Sequence, residues 1–198
     1  MGIIMTQKTL RPRQKNDVYP TPVECCRASL KLFDHLDFQT ILDPGCGNGP
    51  WGQAAREIWP NAWIEGIDIE PGVNSAYNVI HTGDYFKGDC LTYKHYDCII
   101  GNPPYRLAER FVRRSFDLLA DRSVMVQLLR LAFLEGQDRG KHLWRAHPPV
   151  SVYVLSRRPS FTANGKTDAT AYGIYIFDTN HPWGHPPSLH WLDWDYDK

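Results

Sequence analysis

The sequence has no net charge, since 22 Lys and Arg balance 22 Asp and Glu over 198 residues. Its total charge therefore gives no global positive field that would advertise a nucleic-acid or anionic-membrane partner. No apolar run comes near the eighteen or so residues that cross a bilayer, about 30 Å of hydrocarbon. The first residues, Met1 to Lys8, lack the apolar stretch and small-residue cleavage site of a secretory leader. Secreted and membrane classes are not expected on those grounds. The five cysteines (Cys25, Cys26, Cys46, Cys90, Cys98) form no Cys-x-x-Cys pair and no Cys/His ligand spacing. Neither a disulfide framework nor a metal site is expected, and the thiols read as reduced, largely buried groups of a cytoplasmic protein.

What is present is ordinary globular composition, 42% hydrophobic and 22% charged, in a chain long enough to bury its own core. The zero charge hides an asymmetry. From Arg106 to Lys166 there are 12 basic residues against 5 acids (12 − 5 = +7), while the tail beyond Lys166 is acidic. That segregation permits a local basic face. Residues 1–16 are polar and basic without periodicity, and read as a flexible arm. Residues 17–180 read as one domain. Residues 181–198 read as an irregular aromatic and proline-rich tail packed on it, leaving no room for a second domain.

Strand and helix signals alternate. Tyr19-Pro-Thr-Pro predicts a turn into a helix over 22–34, with Thr21 as its cap. Thr40-Ile-Leu-Asp reads as a buried strand, followed by a helix over 50–59 and a second strand from Trp63. Further strands are expected near Val79–His81, Asp97–Gly101, Ser123–Leu129, Val150–Leu155 and Ala171–Phe177, with helices over 106–120 and 133–146. This order predicts an α/β fold built on a mostly parallel sheet.

The first chemical signal is Asp43-Pro-Gly-Cys-Gly-Asn-Gly between a strand and a helix. Glycines there let the backbone turn sharply and a ligand approach closely. Asp68 closes the next strand about twenty residues on, where a carboxylate can accept both ribose hydroxyls. Asp89 stands where a third strand should end, within reach of an adenine amino group. The turn lacks the Lys-Ser/Thr of a P-loop, and Gly45, Gly47 and Gly49 run as G-x-G-x-G rather than G-x-G-x-x-G. Both departures disfavour a pyrophosphate and suit S-adenosylmethionine, with its methionine end on the glycine turn and Asp43.

The second signal is Asn102-Pro103-Pro104-Tyr105 after a predicted strand. Paired prolines cannot continue a ladder and stiffen the backbone. Such a turn can hold the Asn102 amide oxygen and the Pro103 carbonyl as two acceptors for a planar amino group. Tyr105 adds an aromatic face for a flat substrate.

Residues 17–177 resemble the amino-group DNA adenine methyltransferases, most closely the small adenine methylases of bacteriophages. The resemblance rests on motifs in sequential order: Tyr19-Pro-Thr-Pro, Asp43-Pro-Gly-Cys-Gly-Asn-Gly, Gly66-Ile-Asp-Ile-Glu, Gly88-Asp-Cys-Leu and Asn102-Pro-Pro-Tyr. It implies a Rossmann-like class I methyltransferase fold with a mostly parallel seven-stranded sheet and helices on both faces. It also implies methyl transfer from S-adenosylmethionine to an adenine turned out of DNA, in a bacterial or phage-infected cell. The catalytic residues carried over are Asn102, Pro103, Pro104 and Tyr105. The cofactor residues are Tyr19, Thr21, Asp43, Pro44, Gly45, Cys46, Gly47, Gly49, Asp68, Ile69, Asp89, Cys90 and Asn102.

For the substrate, Phe161 in Ser156-Arg-Arg-Pro-Ser-Phe matches the family's second stacking aromatic, opposite Tyr105. Arg157, Arg158 and Lys166 are candidates for phosphate contact. The helix face Arg106–Arg114 reads either as solvated surface or as nucleic-acid contact. The Asn-Pro-Pro-Tyr tetrad is shared with some RNA adenine methylases and with protein glutamine methylases. RNA and protein substrates therefore stand as alternatives, beside a catalytically silent nucleic-acid-binding module.

Overall fold

The structure, a computed structural model, describes residues 20–87, 90–161, 170–180 and 186–194. Tyr19, Asp89, Lys166 and the expected arm at 1–16 lie outside the described residues. A short helix α1 (Val23–Leu30) leads into β1 (Thr40–Pro44), α2 (Pro50–Ile58), β2 (Trp63–Asp68), β3 (Val79–Thr82) and β4 (Tyr96–Gly101). Then come α3 (Ala108–Phe116), β5 (Leu119–Arg130), α4 (Gln137–His142), β6 (Ser151–Leu155), β7 (Tyr172–Asp178) and β8 (Ser188–Leu192). No helix among the described residues is long and apolar enough to cross a membrane.

The strands form one sheet in the order β3-β2-β1-β4-β5-β7-β6-β8. Strands β1 to β5 run parallel, β7 is antiparallel to both β5 and β6, and β8 runs parallel to β6. The central strands carry continuous apolar runs, Ile41-Leu42 and Cys98-Ile99-Ile100, all fully buried, as parallel strands covered on both faces require. Alternate residues of β5 show the two layers. Val124, Val126 and Leu128 pack with Cys25, Cys26 and Leu30 of α1 and with Trp51, Ala54 and Ala55 of α2. Met125 and Leu129 pack with Ala108, Phe111 and Val112 of α3 on the opposite face. Four of the five cysteines are buried in these layers as free thiols, and Cys90 is exposed.

The fold departs from the sequence expectation in four places. Among the described residues the sheet has eight strands rather than seven. The extra one lies in the stretch read as irregular, where Ser188–Leu192 pairs with the open edge of β6 from Ser151↔Ser188 to Leu155↔Leu192. The predicted 106–120 helix stops at Phe116, because the backbone carbonyl of Leu118 already serves the sheet, accepting from the Tyr96 N–H at 2.8 Å. The predicted 133–146 helix is cut to Gln137–His142, after a single 3₁₀ turn over Leu131–Leu134. Thr21 does not cap α1, whose N-cap position is Pro22 with no side-chain cap bond.

One packing detail fixes how closely α2 approaches the loop before β3. A Cβ added at Gly52 would lie 2.1 Å from Cζ of the buried Tyr77 ring. Gly→Ala within a helix ordinarily gains about 0.5–1 kcal/mol. Here overpacking opposes that gain at a cost of about 1–3 kcal/mol. Gly52→Ala is therefore expected to lower the urea midpoint. A midpoint at or above wild type would mean that Tyr77 swings aside freely.

Candidate active site

The sheet order reverses between β1 and β4: from β1 the chain passes to β2 on one side, and from β4 to β5 on the other. At such a switch point the connections leave in opposite directions and open a crevice beyond the carboxyl ends of the strands. The crevice here is lined by the glycine turn (Gly45, Cys46, Gly47, Asn48), by Pro50 and Trp51 of α2, and by Asp68 at the end of β2 with Ile69 and Glu70 after it. Pro20, Thr21, Asn102 and Pro104 close the other side.

The turn keeps its shape through backbone conformations that glycine alone adopts easily. Gly47 has φ +52° and Gly49 φ +80°, both in the region L side chains rarely occupy. The Gly47 N–H donates to Asp68 Oδ2 at 3.0 Å, so the second strand's carboxylate ties down the first strand's turn. Beside Gly47 a Cβ would meet nothing within 4 Å, leaving its backbone open to a ligand. Asp68 Oδ1 accepts from the Glu70 N–H at 2.9 Å. An ionised carboxylate offers about four acceptor sites, so capacity remains for vicinal hydroxyls.

These features fit S-adenosylmethionine. Asp68 and Glu70 are the charged residues among those lining the crevice. An acidic lining suits a sulfonium cation and repels a pyrophosphate. Ile69, 59% exposed, offers an apolar wall. Trp51 is buried, lines the crevice, and its indole N–H has no acceptor among the described residues. An orphaned buried donor is costly, and a ligand carboxylate would satisfy it. Trp51 would then hold the carboxylate, Asp68 the ribose and Ile69 the adenine face.

Asp43 is not on the crevice wall. It is fully buried beneath the turn, where Oδ2 accepts from the Tyr77 hydroxyl at 2.5 Å. That hydroxyl in turn accepts from the Gly52 N–H at 3.1 Å. Burial pushes the Asp43 carboxyl up to about 7, against the pull of the Tyr77 hydrogen bond, with the Asp68 charge adding to the rise. Pro44 and Gly49 belong to the same turn but do not line the crevice. Strand β3 ends at Thr82, well before Asp89, so the expectation that Asp89 closes the third strand is corrected. Cys90 is exposed and away from the crevice lining.

The tetrad turn starts at the carboxyl end of β4 and shares the crevice with the glycine turn. Asn102 Nδ2 donates to Thr21 Oγ1 at 3.1 Å. Thr21 thus positions Asn102 rather than capping a helix. Burial, and after it the neighbouring Tyr172, drives the Tyr105 hydroxyl far above the ordinary phenol range, so it stays neutral. Its ring lies under the Arg130 guanidinium, 4.4 Å from the centroid, and 5.6 Å from the Tyr172 ring.

Phe161 is buried and meets Tyr172 edge-on at 5.1 Å, so both predicted stacking rings contact Tyr172. Arg158 is exposed, and the Arg157 carbonyl accepts from the Trp194 indole at 2.8 Å. The basic face of α3 is largely compensated. Arg113 pairs with Glu109, Arg114 with Asp117, and Arg110 lies over the Phe86 ring at 4.0 Å. The sequence reading missed Trp51, Tyr77 and Tyr172. For Trp51, its place just inside the helix after the glycine turn was an available signal, whereas the others come together only through the sheet.

No protein-family profile matches the chain. It is 30% identical over 105 residues to the type II methyltransferase M.CvrRI of Paramecium bursaria Chlorella virus XZ-6E, covering 50% of this chain and 27% of that protein. It is 35% identical over 93 residues to the ribosomal RNA large subunit methyltransferase G of Shewanella sp. (strain ANA-3), covering 39% of this chain and 25% of that one. The chain thus spans about a quarter of the length of these curated relatives. A crystal structure from Listeria monocytogenes, assigned as a class I S-adenosylmethionine-dependent methyltransferase, superposes with TM-score 0.62 at 12% identity. The match covers 92% of this chain and 68% of that one. The fold of this chain is that of the class I methyltransferases.

Proposed function

We propose that this chain is the catalytic domain of an S-adenosylmethionine-dependent methyltransferase that modifies the exocyclic amino nitrogen of adenine in DNA. One observation carries the reading: Asn102 and Pro104 of the rigid amino-acceptor turn line the same crevice as the glycine turn and Asp68. Donor and acceptor sites therefore share one space at the switch point. The likeness to a type II methyltransferase supports DNA as the substrate. An RNA target is the second reading, favoured by the likeness to a ribosomal RNA methyltransferase.

S-adenosylmethionine, when bound, supplies a methyl group already activated by its positive sulfur. The chain's own residues have to position and polarise the acceptor. Asn102 Oδ1 and the Pro103 carbonyl each accept one amino N–H of the base. Drawing both hydrogens toward fixed acceptors leaves more electron density on the nitrogen and orients its lone pair. Pro103 and Pro104 keep the two acceptors from relaxing. Tyr105, neutral under its burial, serves as an aromatic face, not as a base. The proton lost from the amino nitrogen leaves to solvent.

The test offers labelled methyl donor with unmethylated DNA, total RNA and a protein extract in parallel, followed by nucleoside analysis. The expected product is N6-methyladenine in DNA. Label confined to RNA would move the assignment to the second reading, and label in neither nucleic acid would overturn it.

A further inference from the structure

We infer that Arg130 is a substrate-binding residue. Its guanidinium covers a face of Tyr105 until the target adenine takes that place, and then pairs with a phosphodiester of the DNA. The inference rests on the reading of this chain as a DNA adenine methyltransferase.

Three observations carry it. First, Arg130 ends β5 at the carboxyl edge of the sheet, beside β4, with Gly101↔Gln127 in register three residues earlier. That places it next to Asn102-Pro-Pro-Tyr, with its guanidinium 4.4 Å from the Tyr105 centroid. A guanidinium is planar and stacks on an aromatic face much as a base does, so the surface it covers has the shape and chemistry that an adenine needs. Second, Arg130 makes no ion pair among the described residues, whereas Arg27, Arg113, Arg114 and Arg139 each have a carboxylate within 4 Å. Its Nε is sealed from solvent without an acceptor. A half-buried cation without an anion is unfavourable, and an anion arriving with the substrate resolves it. Third, DNA brings that anion together with the flat base, because each extruded nucleotide carries flanking phosphates. The guanidinium exchanges a cation–π contact for charge-assisted hydrogen bonds to phosphate oxygen.

The experiment measures kcat/KM for methyl transfer to unmethylated genomic DNA as a function of salt, in wild type, Arg130→Gln and Arg130→Lys. Affinity for S-adenosylhomocysteine, which should stay within about twofold, reports that each variant is folded. Arg130→Gln should lower kcat/KM by about ten- to a hundredfold and make the log–log salt slope shallower by about 0.9, the loss of one phosphate contact on duplex DNA. Arg130→Lys should keep the slope, since it keeps the charge, while lowering kcat/KM about tenfold because an ammonium cannot bind the phosphate in a two-donor fork. Wild-type kcat/KM and slope in Arg130→Gln would overturn the inference, as would equal slope loss in both variants. If Arg130→Gln fails to fold, Arg130→Lys alone decides: slope kept with lower kcat/KM supports the role, and any other outcome overturns it. No transfer to DNA by wild type would instead remove the underlying reading, a result visible without either variant.

Discussion

Asn102→Ala is expected to lower kcat by about a hundred- to a thousandfold while leaving cofactor affinity within about twofold. The magnitude is that of removing one preorganised polar contact to a reacting group, about 2.7–4 kcal/mol. Asn102 stands at the start of a stiff turn with its amide held by Thr21 Oγ1 at 3.1 Å. The loss should therefore fall on the acceptor nitrogen. Thr21→Val keeps the carboxamide but removes its oriented partner, and should cost about tenfold or less, the effect of a lost neutral hydrogen bond near 1 kcal/mol. Steady-state turnover set against calorimetric binding of S-adenosylhomocysteine separates the two effects. Comparable losses of turnover and cofactor binding in Asn102→Ala would mean that the residue builds the crevice rather than serving the reaction.

The contribution of Asp43 to folding stability is expected to fall as pH rises from about 4 to 7. Burial holds its carboxyl near 7 in the folded protein, against 3.8 for an ordinary one. Between those values the native state binds more protons than the unfolded chain, so the unfolding free energy decreases with pH. The contribution is fully present below 3.8 and is lost as pH passes through 7. At 1.36 kcal/mol per pKa unit it amounts to about 4 kcal/mol. Asp43→Asn retains an oxygen to accept from Tyr77 but cannot ionise. The stability of wild type relative to this variant should therefore decline across the window and level off above about pH 8. Urea unfolding at several pH values measures it, and parallel curves for the two proteins would sink the assignment.

Much of the chemistry was legible from local sequence. Glycines with positive φ had to follow β1, and a Pro-Pro pair had to end β4, because those residues dictate backbone conformation whatever surrounds them. Asp68 followed from strand length and spacing. The strands themselves followed from apolar runs such as Cys98-Ile-Ile. Other parts were misread because their fate depends on distant partners. Ser188–Leu192 has the alternation of a strand but becomes one through the open edge of β6. Helix α3 ends where residues 118 and 119 are claimed by β4. Asp43, placed by its motif at the ligand, is buried against Tyr77, which lies 34 positions along the chain.

The sequence by itself determined the order of the elements, the glycine turn, the Pro-Pro turn and the acid that ends the second strand. All of these are set by conformational preferences and periodicities acting within a few residues. Only the tertiary structure decided that the two turns open into one crevice, since this depends on β1 and β4 being neighbours at the point where the sheet order reverses. It likewise decided that Thr21 positions Asn102, that Tyr77 supports Asp43, and that Arg130 lies on Tyr105. Those contacts join residues 25 to 81 positions apart (130 − 105 = 25). The propensities of either partner do not encode such pairs, which form because packing the sheet leaves each polar group one place to go.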